Sequence, residues 1–135
     1  MVSNIDSKMD IIVVGGGISG LSTALKLSRA GHQITIIERD NTPMPENADE
    51  AFEWDRRGAP QVRHSHAFLA RLVSLLKANE PDVLEQLFAA GATEIKFGED
   101  LPATMAGFVP EPEDAELNML TCRRTTFEWV LRRVV

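Results

Sequence analysis

This chain of 135 residues is short of several things, and each shortage excludes something. It has one cysteine, Cys122, so no disulfide can close within it; that fits a reducing compartment, and a cytoplasmic location is the expectation. No apolar run approaches the roughly 20 residues that span a bilayer, so no membrane span is expected. The opening MVSNIDSKMD lacks the charged-then-apolar order of a secretory signal. Positive charge is in deficit, with 14 Lys and Arg against 20 Asp and Glu. The resulting net charge of −6 argues against a nucleic-acid partner, which needs a net basic face. There is no internal repeat. What remains, 44% hydrophobic and 25% charged residues, is the balance of one globular domain.

Against these shortages stands one local excess, the glycines of VVGGGISG at residues 13–20. DIIVV (10–14) before them is apolar and β-branched, which predicts a strand buried on both faces. After them Leu21, Ala24, Leu25 and Leu27 recur at helical spacing, and Gly31 is placed to end that helix. QITIIE (33–38) predicts a second strand ending in a carboxylate. Strand, tight turn, helix and strand make a βαβ unit with parallel strands.

Gly15, Gly17 and Gly20 satisfy G-x-G-x-x-G in the strand-to-helix context that the motif requires. Gly15 allows the sharp turn, Gly17 leaves room for a pyrophosphate, and Gly20 lets helix and strand pack closely. The amides of residues 17–20, Ser19 among them, then point out of a helix N-terminus, where an anion is favoured. Glu38 lies 18 residues after Gly20, where a carboxylate accepts the hydroxyls of an adenosine ribose and repels a 2′-phosphate. The expected fold class is therefore α/β, a Rossmann-like domain binding FAD or NAD(P), with a parallel sheet.

Residues 11–39 resemble the N-terminal segment of FAD-binding flavoprotein monooxygenases of the para-hydroxybenzoate hydroxylase type, in which GGGxxGL leads to a terminal ER pair. Three later segments extend the likeness toward an epoxidase and hydroxylase-like subgroup. They are WDRRGAPQVRHSHAF (54–68), PDVLEQLFAAGA (81–92) and RRTTFEWVLRR (123–133). The resemblance implies FAD as cofactor, NAD(P)H as reductant in a full-length protein, and hydroxylation or epoxidation of a small organic substrate. It implies that Arg39 lies beside the adenine and its phosphates and that Arg124, ahead of the last helix, contacts the flavin. It names no catalytic residue within these positions. The alternatives are a non-catalytic nucleotide-binding or association fragment, and an NAD-binding dehydrogenase domain.

Residues 1–9 are expected to form a disordered tail, and 10–135 the N-terminal part of one FAD-binding domain whose sheet is incomplete at the C-terminus. NTPMPENADE (41–50) reads as a loop. Phe68, Leu69, Leu72, Val73, Leu75 and Leu76 read as one helical face, and a second helix follows Pro81. TEIKF (93–97) and LNMLTC (117–122) read as weaker strands of the same sheet, and 98–116 as an exposed excursion. Thr125 and Glu128 have capping-box spacing, ahead of an apolar stripe of Phe127, Val130, Leu131 and Val134. His64 and His66 share one side of an extended chain, but no third ligand is placed to complete a metal site.

Overall fold

The structure, a computed structural model, describes residues 7–59, 62, 65–97, 99, 104, 107–109 and 111–135. Its first unit is the expected βαβ arrangement. Strand β1 (Asp10–Val14) leads through the glycines into α1 (Ile18–Arg29) and then β2 (Gln33–Ile37). The two strands pair in parallel from Asp10 with Gln33 to Val14 with Ile37. Gly31 ends α1 with φ +93°, a conformation that a side chain would strain.

The expectation that β1 is buried on both faces is corrected. Ile12, Val14 and Ile37 are 65%, 83% and 53% exposed, while Ile11, Val13, Ile34 and Ile36 face the helices. The helices pack on one side of the two-stranded sheet only, and no described residue covers the other. A β-branched apolar run reports strand propensity, but burial is decided by what lies opposite.

The remaining strands do not extend this sheet, which corrects the single parallel sheet expected. Strands β3 (Ser65–Phe68), β4 (Thr93–Ile95) and β5 (Met119–Arg123) form a separate antiparallel sheet in the order β3-β5-β4. Phe68 therefore belongs to a strand rather than to the helical face. Helix α3 runs Ala70–Asn79 and buries Val73 and Leu76, leaving Leu69 and Leu75 exposed. Helix α4 (Pro81–Ala89) opens on its proline and buries Val83, Leu84 and Leu87. Lys26 and Arg29 of α1 both pair with Glu80 at the start of α4.

The loop expected over 41–50 is shorter, because α2 (Ala48–Phe52) begins within it. Asn47 caps that helix, its Oδ1 accepting the Glu50 amide at 2.9 Å.

Helix α5 (Arg124–Val134) is the centre of the molecule. It touches α1, α2, α4 and β5, so Thr125 through Leu131 are buried all round instead of along one stripe. Burial of a side chain the size of Phe127 contributes about 1.5–3 kcal/mol. The expected capping box does not form. The chain passes from β5 into α5 without a loop, Arg123 occupies the cap position, and the Thr125 hydroxyl donates to the Phe52 carbonyl at 3.5 Å. Glu128 is thereby freed for a different use.

Candidate cofactor site

The site is the turn between β1 and α1. Gly15 has φ +104°, and its amide donates to the Ile37 carbonyl at 2.7 Å, tying the turn to the end of β2. A Cβ at Gly20 would stand 1.9 Å from the Gly15 carbonyl oxygen, so only glycine lets the helix sit this close to the turn. A Cβ at Gly17 would meet nothing within 4 Å. Gly17 therefore borders open space rather than a packed wall.

Helix α1 starts at that border. Its first backbone bond joins the Leu21 amide to the Gly17 carbonyl at 2.9 Å, which leaves the amides before Leu21 outside the helical ladder. Gly17 has no side chain to cap them, and no acidic residue lies in the first turn. Ser19 is exposed, its carbonyl accepting the Thr23 hydroxyl at 2.8 Å. Uncommitted amides at the positive end of a twelve-residue helix favour a negatively charged group.

Glu38 follows β2 and turns toward the glycines. Its Oε2 accepts the Gly16 amide at 2.7 Å and its Oε1 accepts the Asp40 amide at 2.8 Å. The Asp40 amide first, then the Gly16 amide and the nearby Arg56 charge, hold the Glu38 carboxyl below its ordinary value. Oε2 also takes Arg56 Nη2 at 3.5 Å, whereas Oε1 retains a lone pair with which Glu38 can accept from a sugar hydroxyl. Arg39 is exposed, and its side chain bonds to no described residue. Arg124 opens α5, with its Nε buried and unpartnered among the described residues.

Sequence reasoning missed the charges behind this site. Arg56 is buried, with Nη1 2.6 Å from Asp40 Oδ2, Nε 2.8 Å from Glu128 Oε1 and Nη2 3.5 Å from Glu38 Oε2. Arg132, about 12 Å further along α5 than Arg124, reaches the Gly16 carbonyl at 2.8 Å. The 128-to-132 spacing of a glutamate and an arginine was the available signal, since residues four apart share a helix face. Nothing local in the sequence pairs either of them with Arg56.

The histidines lie elsewhere. His66 is in β3, opposite Cys122 and stacked on Phe68 with ring centroids 6.2 Å apart; His64 is outside the described residues. Among the described residues no three metal-ligating side chains converge. Burial pushes the Cys122 thiol up to about 12, so it is no nucleophile for His66 to activate.

An open glycine turn, unpaired amides and a carboxylate beside them fit an adenosine diphosphate group. Comparison with known proteins decides which cofactor family uses them: a profile describing the FAD dependent oxidoreductases, DAO, matches residues 10–83. The chain belongs to the FAD dependent oxidoreductase family. Its matched part contains the whole βαβ unit and Glu38, and of the sequence expectation the level of an FAD-dependent oxidoreductase stands, without the para-hydroxybenzoate hydroxylase type.

Among curated relatives, a D-amino acid dehydrogenase of Sinorhizobium medicae is 48% identical over 78 residues, covering 51% of this chain and 19% of that protein. An L-amino-acid oxidase of Mus musculus is 38% identical over 73 residues, 51% of this chain and 12% of the oxidase. A phytoene desaturase of Fusarium fujikuroi is 44% identical over 36 residues, 27% of this chain and 6% of the desaturase. The chain thus spans under a fifth of the length of these relatives. None of the three is named as a monooxygenase, so the shared level is that of an FAD-dependent oxidoreductase. No described helix is long and apolar enough to cross a membrane.

Proposed function

We propose that this member of the FAD dependent oxidoreductase family holds the ADP half of FAD on its glycine turn. The observation that carries the reading is the open space at Gly17, flanked by unpaired amides and by Glu38. Gly15, Gly17, Ser19 and Gly20 line the diphosphate side by backbone amide and by absence of bulk. Glu38 takes the ribose hydroxyls, exposed Arg39 reaches the adenine and its phosphates, and the unpartnered Arg124 nitrogen serves the flavin side. When bound, FAD supplies two-electron redox chemistry that these side chains lack; the chain's own part is to bind and orient it.

For the whole protein, the proposed activity is monooxygenation, meaning hydroxylation or epoxidation of a small organic substrate with NAD(P)H as reductant. Its support is the likeness of residues 54–68, 81–92 and 123–133 to epoxidase and hydroxylase-like flavoproteins. A second reading, oxidation of an amino acid, is favoured by the names of two relatives.

The test has two stages. The chain is loaded with FAD, passed through gel filtration and examined for a retained flavin spectrum; tight NAD binding without FAD binding would falsify the assignment. The flavin-loaded full-length protein is then mixed anaerobically with NAD(P)H or with amino acids. Bleaching by NAD(P)H alone supports monooxygenation, and bleaching by an amino acid supports the second reading.

A further inference from the structure

Arg132 lies in the last turn of α5, and its Nη2 donates to the Gly16 carbonyl oxygen at 2.8 Å. The same nitrogen stands 3.7 Å from Glu38 Oε2. On its other side, Arg132 Nε donates to Glu128 Oε1 at 3.3 Å, and that oxygen is also 2.8 Å from Arg56 Nε. The Trp54 ring lies 5.3 Å from the Arg132 guanidinium carbon and 5.1 Å from that of Arg56. A carboxylate, an aromatic face and a backbone carbonyl thus fix the Arg132 guanidinium in place.

A peptide unit is planar and trans, so the Gly16 carbonyl and the Gly17 N–H point in opposite directions. Drawing the Gly16 oxygen toward α5 turns the Gly17 N–H away from it. That N–H has no partner among the described residues. A charged donor on the carbonyl also polarises the peptide, which makes the amide at its other end a better donor. The preceding peptide is held as well, through the Gly16 N–H on Glu38 Oε2 at 2.7 Å. The fit leaves little slack, because a Cβ at Gly16 would lie 3.1 Å from both Arg132 Nη2 and Glu38 Oε2.

We infer that Arg132 is a positioning residue for the diphosphate: it sets the Gly16–Gly17 peptide so that the Gly17 amide faces the anion, and Glu128 and Arg56 hold Arg132 in that place. Arg132 acts through the backbone and does not touch the ligand. The inference rests on the glycine turn being a diphosphate cradle, as proposed above.

The test titrates the full chain and its Arg132→Gln variant with FAD, ADP and adenosine. Loss of a charge-assisted bond predicts about tenfold weaker ADP and FAD binding in the variant. Adenosine, which lacks the diphosphate, should change less than about twofold. Arg132→Lys, which keeps the charge but not the planar fork, should recover part of the loss. An unchanged ratio of ADP to adenosine affinity would overturn the role of Arg132 while leaving the cradle intact. Failure of the unsubstituted chain to bind either FAD or ADP would overturn both. Should Arg132→Gln not fold, the Gly17 amide nitrogen-15 shift is compared between the unsubstituted chain and Arg132→Lys. A moved shift supports the inference and an unmoved one rejects it.

Discussion

Glu128 Oε1 and Arg56 Nε lie 2.8 Å apart with their side chains 0% and 4% exposed, a charge pair formed by residues far apart in sequence and sealed in the interior. Removing Arg56 leaves the buried Glu128 with Arg132 as its partner and takes the cation from Asp40. Arg56→Met should cost about 3 kcal/mol or more in urea unfolding. Adding Glu128→Gln removes a buried charge that has lost its shorter ion pair, so the double variant should be more stable than Arg56→Met alone. If the second substitution instead destabilised further by its full single-variant cost, the two residues would not be coupled.

The glycines of the turn should separate folding from binding. Gly17→Ala meets open space at an ordinary backbone angle, so its stability should stay within about 1 kcal/mol of the unsubstituted chain. The added methyl stands where the diphosphate is proposed to lie, so FAD affinity should fall at least tenfold, roughly 1.4 kcal/mol. Gly20→Ala should do the reverse, costing about 1–3 kcal/mol in stability through the clash with the Gly15 carbonyl. Thermal melts alongside flavin fluorescence titrations check both.

Acid should weaken this protein through Asp40. Its carboxyl falls from 3.8 to about 2, chiefly because the Thr42 hydroxyl and then the Thr42 amide donate to it, with Arg56 adding charge. A folded value below the unfolded one means that the unfolded chain binds the proton first. The contribution is complete above about pH 4 and is lost as pH falls toward about 2. Glu38, shifted in the same direction, steepens the same limb. Asp40→Asn should flatten the stability profile across that window. A profile as steep as that of the unsubstituted chain would show that Asp40 carries none of it.

Cys122 should report unfolding rather than redox state. Burial holds its thiol up to about 12, so little thiolate exists at pH 8 in the folded chain. Labelling by a thiol reagent at pH 8 should be slow, and should accelerate across the urea transition. Fast labelling of the native chain would mean that β5 opens readily.

The βαβ unit and its glycine turn were legible in the sequence because their signals are local. Gly15, Gly20 and Glu38 answer to backbone geometry within one turn or to one strand end, and such demands leave residue types at fixed spacing. The helices after Leu69 were legible for a similar reason, through Pro81 at one start and Gly91, with φ +92°, after one end. The partners of strands 65–68, 93–95 and 119–123 were not legible. Short strands carry no mark of which sheet they join or in which direction.

The sequence by itself determined where the chain turns, where the backbone is left bare of side chains, and which carboxylate stands beside it. The tertiary structure alone decided that Arg56, Glu128 and Arg132 gather behind that turn, and that one face of β1 and β2 meets no described residue. The physical reason is range. A tight turn constrains residues a few positions apart, whereas a buried charge needs partners that only the packing of α5 against α1 and α2 brings within reach.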